Sequence, residues 1–119
     1  MQLHAKRVYL AAEPEDGTRV LVDRLWPRGL SKEKLGDVAW LRDVAPSDAL
    51  RQWFGHDPAK WDEFRKRYFT ELDANPDSVA ALREALATKG RSTLLFGAHD
   101  EAHNNAVALC EYLRTHRKR

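Results

Sequence analysis

An aspartate and two arginines follow the second predicted strand, in the segment Asp23-Arg24-Leu25-Trp26-Pro27-Arg28-Gly29. The guanidinium groups of Arg24 and Arg28 carry forked N–H donors that match the oxygens of a phosphate or a carboxylate. The Asp23 carboxylate could orient these arginines or act as a general base. The segment therefore predicts an anion site, with Asp23 as a catalytic candidate and Arg24 and Arg28 as ligand-binding residues.

A second polar segment, residues 97–105, follows the last predicted strand and contains Asp100, His103 and Asn104. It includes the predicted start of the last helix, where free backbone N–H groups and the helix dipole attract anions. His103 is the candidate for acid/base chemistry, and Asp100 and Asn104 are candidates for ligand contact. Ligands in open α/β sheets gather beyond the carboxyl ends of parallel strands. If the two strands are parallel neighbours, we expect both segments to line one cleft.

The residues of the first segment also have a structural interpretation. Asp23 and Arg24 could form an ion pair at a strand end. Alternatively, Arg24 and Arg28 could pair with carboxylates such as Asp43 or Asp48 and hold the loop in place. In the second case the two arginines would have a structural role only.

The same alternative exists for the second segment and for two residues near the predicted site. Asp100 is first of all a candidate N-cap of the last helix, and His103 could be a surface residue. Trp26 is interpreted as core packing rather than as a stacking platform. His56 is interpreted as a helix-entry residue hydrogen-bonded to the backbone rather than as a third contributor to a cleft.

Other kinds of catalytic site receive little support. His99 and His103 are four residues apart, but the order His-Asp-Glu-Ala-His differs from the His-Glu-x-x-His zinc motif, so no metal is predicted. Cys110 lies in the middle of a predicted helix and is expected to be a buried, inert thiol. The chain contains no nucleophile elbow, phosphate-binding loop or dinucleotide glycine fingerprint, and no cofactor is expected.

The strands that must position these segments are short and apolar. Leu3 to Leu10 and Arg19 to Leu25 are predicted strands, and Asp16-Gly17 between them could form a tight antiparallel hairpin, although the loop is long enough for other routes. The continuous apolar runs Val20–Val22 and Leu94–Phe96 are typical of interior strands that are covered on both faces.

Amphipathic helices account for most of the remaining chain. Ser47 predicts a helix start and Gly55 its end, and Asp57-Pro58 and Asn75-Pro76 predict two further starts. The last helix is predicted from about Glu101 to Arg114. The longest predicted helix has an apolar stripe of Trp61, Phe64, Tyr68 and Leu72. The fold class is therefore α/β, with a single layered domain over residues 1–119 and a small, at least partly parallel sheet flanked by helices.

Composition narrows the class of partner. The 119 residues are 43% hydrophobic and 32% charged, which is typical of a globular chain, and no apolar run is long enough to predict a membrane partner. Residues 1–12 lack the apolar stretch of a signal peptide, and one cysteine fits a reducing, cytoplasmic location. The net charge is +2, but four cations lie in a basic tail, residues 114–119, so acids outnumber bases elsewhere. Nucleic acid is thus disfavoured as the main partner, without being excluded.

Several of these motifs together resemble one family. The segment Val20–Gly29 followed by Ser31-Lys32, and the run Trp53-Phe54-Gly55-His56-Asp57-Pro58, are similar to the YeaO-like proteins within the larger domain of unknown function 488. The resemblance implies a small bacterial or archaeal cytoplasmic α/β protein, and it implies no particular reaction. Distant members have a Cys-His-Arg group before the last helix. This chain has His103-Asn104-Asn105 there, so the resemblance transfers no cysteine chemistry.

Two functions of different classes follow from these observations. The first is binding of an anionic, phosphate-bearing small molecule at the strand-end arginines and the helix N-terminus, with hydrolase or transferase activity as an open extension. The second is a nucleic-acid- or protein-binding regulator without catalysis. No helix-turn-helix with an exposed basic recognition helix is found, which disfavours the second function.

Overall fold

A four-stranded parallel sheet in the order β1-β4-β2-β3 is the centre of the computed structural model, which describes residues 2–116. The strands are β1 (Gln2–Arg7), β2 (Thr18–Leu21), β3 (Ala39–Trp40) and β4 (Arg91–Phe96). In the register of the sheet, Leu3 pairs with Ser92, and Val20 pairs with Leu94. The predicted α/β class is confirmed, and the sheet is parallel throughout.

The antiparallel hairpin that Asp16-Gly17 could have formed between the first two strands is absent, because β4 lies between them and the chain takes another route. Val20 of β2, Val22 directly after it and Leu94 of β4 are fully buried. Such strands lie inside the sheet, with a strand on each side and other elements packed over both faces. A direct β1–β2 pair would leave β4 at an edge. The chain instead turns through the 3-10 helix Pro14–Asp16 and Gly17, whose φ of +65° only glycine adopts readily.

Five α-helices are present among the described residues: α1 (Lys32–Leu35), α2 (Asp48–Phe54), α3 (Trp61–Asp73), α4 (Pro76–Ala85) and α5 (Asn105–Thr115). Helices α2 to α5 follow the order predicted from the sequence, with shifted ends, and the short α1 was not predicted. Ser47 caps α2 and Gly55 ends it, as predicted. Helix α5 begins four residues later than predicted because Asn104, rather than Asp100, is its N-cap. On α3, Phe64, Tyr68 and Leu72 are buried, whereas Trp61 is half-buried.

The two faces of the sheet are covered differently. On one face, Val22 and Phe96 belong to the main core, to which α2 to α5 contribute side chains such as Phe64 and Leu109. On the other face, a smaller cluster contains Val8, directly after β1, the strand residues Leu21 and Leu95, and Leu35 of α1. Trp26 and Leu30 of the loop after β2, and Trp40 of β3, pack against this cluster. The ring centroids of Trp26 and Trp40 are 5.3 Å apart, so the interpretation of Trp26 as core packing is confirmed.

The structure describes part of the predicted basic tail, residues 114–119. Arg114, which was assigned to the basic tail, lies on α5 and donates a hydrogen bond to the Leu3 carbonyl oxygen. The tail residues 117–119 lie outside the described residues.

No helix in the described part of the chain has the length and apolar character needed to cross a bilayer.

Candidate functional site

A cleft of about 770 Å³ opens beyond the carboxyl ends of β2 and β4. The loops after these two strands, the end of α2 and the start of α5 form its walls. Five of the six predicted site residues line it together: Asp23, Arg24, Arg28, Asp100 and Asn104. The sixth, His103, is not among the lining residues. Parallel pairing of β2 with β4 brings the two polar segments to one edge.

Asp23 joins the three elements that form the base of the cleft. Its Oδ2 accepts a hydrogen bond from the Gly97 N–H at 2.8 Å, and its Oδ1 accepts one from the Asn105 amide at 3.0 Å. The same Asn105 amide donates to the Val22 carbonyl oxygen at 3.2 Å. Burial raises the pKa of Asp23, although the hydrogen bonds from Asn105 and Gly97 oppose that effect. Asp23 therefore holds the strand ends and α5 together.

The two arginines of the first segment have different surroundings. Arg24 donates to the carbonyl oxygens of Ala45, at 3.2 Å, and Pro46, at 3.4 Å, and its Nε is 4.0 Å from an Asp48 oxygen. An Asp23–Arg24 ion pair is thus wrong as an interpretation, and the loop-holding alternative describes Arg24. Arg28 is exposed, and its guanidinium has no hydrogen-bond or ion-pair partner within residues 2–116.

The loop after β4 is held in shape by its own side chains. Asp100 Oδ1 accepts hydrogen bonds from the N–H groups of Ala102, at 2.9 Å, and His103, at 3.0 Å, and its Oδ2 is 2.9 Å from His103 Nδ1. The Ala102 N–H bond, followed by the His103 ring, lowers the pKa of Asp100. The His103 ring meets Trp61 edge-on at 5.3 Å. His103 precedes α5, although it falls within the helix predicted from about Glu101.

Asn104 has two backbone partners that define the start of α5. Its Oδ1 accepts the Val107 N–H at 2.9 Å, and its amide donates to the Asp100 carbonyl oxygen at 2.9 Å. The residue is only 2% exposed. The helix start is therefore capped from within the protein, which leaves the arginines as the stronger anion-binding groups at the cleft.

Sequence reasoning missed Arg51 and misjudged His56, both of which line the cleft. Arg51 lies one turn before Gly55, is 40% exposed and is 3.2 Å from an Asp48 oxygen. His56 is exposed and adopts a left-handed φ of +56° directly after left-handed Gly55. The expected backbone hydrogen bond of its side chain is absent among the described residues, so that interpretation is wrong. Gly55 was the signal in the sequence that could have indicated the position of His56, because a glycine that ends a helix turns the chain in a new direction directly before that residue.

Apolar side chains form a second part of the lining. Phe54 and Phe64 are buried, and their ring centroids are 4.3 Å apart. Pro46 and Leu25 also line the cleft, and Leu25 is 60% exposed. The cleft thus combines buried aromatic groups with arginines that reach solvent.

Comparison with known proteins identifies the family. Residues 2–119 match the family described as the inactive DUF488-N3 subclade. The chain belongs to this family. It is 42% identical over 114 residues to an uncharacterized protein of Mycobacterium tuberculosis, covering 94% of this chain and 93% of that relative. It is 38% identical over 115 residues to the uncharacterized protein YeaO of Escherichia coli, covering 97% and 99%. The YeaO-like resemblance is confirmed, and no solved structure matches the chain.

The described residues offer few groups for covalent or metal chemistry at the cleft. Cys110 is buried on α5, and burial raises the pKa of its thiol to about 11, so the thiolate is scarce at neutral pH. Within residues 2–116, no three His, Cys, Asp or Glu side chains are grouped to hold a metal ion. The side chains that line the cleft can donate and accept hydrogen bonds and form ion pairs.

Proposed function

We propose that this protein binds a small anionic, phosphate-bearing molecule in the cleft beyond β2 and β4. The observation that carries the proposal is the Arg28 guanidinium, which lies at the cleft without a protein partner among residues 2–116. An arginine with free forked donors is well matched to phosphate oxygens. Arg24 and Arg51 also line the cleft and add positive charge to it.

Binding without catalysis is the form of the proposal that the contacts favour. Each oxygen of Asp23 already accepts a hydrogen bond, from Gly97 or Asn105, which suits a positioning residue better than a general base. His103 is paired with Asp100, packed against Trp61 and outside the lining. The word "inactive" in the family description agrees with this form. Hydrolase or transferase activity is accordingly left out of the proposal.

We also propose a cytoplasmic location. Cys110 is a buried free thiol, which suits a reducing compartment. Separation of cells into periplasmic and cytoplasmic extracts, followed by mass measurement, should find the protein in the cytoplasmic extract. Recovery of the protein in the periplasmic extract would contradict the location.

Calorimetric titration with inorganic phosphate tests the binding proposal. Arg28→Ala should weaken binding at least tenfold, because charge-assisted hydrogen bonds are lost. Lys89→Ala is the matched control: it removes the same charge from an exposed residue in the turn before β4, at the amino end of the sheet, and should change affinity less than twofold.

Two results would contradict the proposal. Equal loss of affinity in Arg28→Ala and Lys89→Ala would show a non-specific charge effect. Absence of phosphate binding, together with steeply salt-dependent binding to random oligonucleotides, would favour the regulator hypothesis instead.

A further inference from the structure

We propose that the ligand carries its anionic group on a flat, apolar ring, as an aromatic phosphate ester does. The inference rests on the proposed function, since it names the class of molecule that the same cleft takes. Three features carry it: the size of the cleft, the apolar side chains in its lining and an exposed leucine that lies in sequence between the two arginines of the first segment.

The size of the cleft exceeds what a bare phosphate needs. Its volume of about 770 Å³ lies within the range of roughly 300–1,000 Å³ found for pockets that enclose whole organic ligands. Arg28 can contact one anionic group, which occupies a small part of that space. The remaining volume is available to the body of a larger molecule.

Apolar side chains form part of the remaining lining, among them Leu25, Pro46, Phe54 and Phe64. Phe54 and Phe64 are almost fully buried and offer little surface, whereas Leu25 is exposed, as are Arg28 and Arg51. Water against an exposed apolar side chain is replaced favourably by an apolar group of a ligand. A ligand that joins an apolar ring to an anion matches this combination of apolar and cationic side chains.

Leu25 exposes an apolar side chain at the cleft. It lies between Arg24 and Arg28, lines the cleft and is 60% exposed, the largest exposure among the bulky hydrophobic residues of the described chain. Covering about half of a leucine side chain with a ligand ring corresponds to roughly a fivefold gain in affinity. Inorganic phosphate has no apolar surface and gains nothing from Leu25.

Titration with three probes tests the ring requirement: inorganic phosphate, methyl phosphate and phenyl phosphate. Phenyl phosphate should bind at least tenfold more tightly than methyl phosphate, which carries the same anionic group. Leu25→Ser should weaken phenyl phosphate about fivefold and change inorganic phosphate less than twofold. Leu10→Ser is the matched control, because Leu10 is 47% exposed, lies in the turn after β1 and is not part of the lining.

The outcomes separate this inference from the proposed function. Equal affinity for methyl and phenyl phosphate, with phosphate binding still dependent on Arg28, would overturn the ring requirement alone. Equal weakening of all three probes by Leu25→Ser would overturn the role of Leu25 as an apolar contact. Absence of binding by every probe would overturn the proposed function, and the ring requirement with it.

Discussion

Replacement of Asn104 by alanine should destabilise the protein through the start of α5. The variant loses the N-cap hydrogen bond to the Val107 N–H, which is worth about 1 kcal/mol. It also loses the hydrogen bond that the amide donates to the Asp100 carbonyl oxygen, which adds about 1 kcal/mol. The sum of about 2 kcal/mol corresponds to a fall in Tm of roughly 6–12 °C for a domain of this size.

Asn104→Ser separates the two contributions. Serine keeps a cap acceptor but is too short to donate to the Asp100 carbonyl oxygen, so about 1 kcal/mol should be recovered. Urea unfolding followed by circular dichroism measures both variants against the wild type. An alanine variant as stable as the wild type, or a serine variant no better than alanine, would refute the capping role.

Three further predictions concern the fold. Phe64→Ala should cost about 3–5 kcal/mol in urea unfolding, and Trp61→Ala should cost less because Trp61 is half-buried; equal costs would contradict this packing. Gly17→Ala should abolish or severely weaken folding, because the added Cβ would lie 2.0 Å from a carbonyl oxygen of β4. Gly29 has open space around it, so Gly29→Ala should cost only about 1 kcal/mol of left-handed backbone strain. Equal effects of the two variants on Tm would exclude the clash. Burial raises the pKa of Cys110 from 9.0 to about 11, so the folded state holds the thiol proton to a higher pH than the unfolded state does. The free energy of unfolding that is present below pH 9 should therefore fall by about 2–3 kcal/mol toward pH 11. Urea unfolding should show a smaller pH slope in Cys110→Ala, and an unchanged slope would contradict the prediction.

The interior strands could be predicted from the sequence because their signal is local. Val20–Val22 and Leu94–Phe96 are continuous apolar runs, and a strand buried on both faces needs that composition. Once they were predicted as strands, the polar segments after them were expected at one sheet edge. Ser47 and Gly55 likewise defined α2 by local capping chemistry.

The errors arose where a local signal competed with a long-range contact. Asp16-Gly17 is a good hairpin signal, but burial of β4 at the centre of the sheet favoured a parallel arrangement. Asp100 and Asn104 are both capable caps, and the sequence does not show which N–H groups each one meets. The contribution of Arg51 depends on where α2 packs, which no local pattern contains.

The central claim, that the cleft beyond β2 and β4 binds an anion through its arginines, is tested most directly by nuclear magnetic resonance titration with inorganic phosphate. The side-chain Nε–H signals of Arg28 and Arg51 and the backbone N–H signals of residues 97–100 should shift and saturate together. The backbone N–H signal of Lys89, at the opposite end of the sheet, should stay constant. Shifts that do not saturate, that scatter over the surface, or that leave the Arg28 signal unmoved would contradict the account.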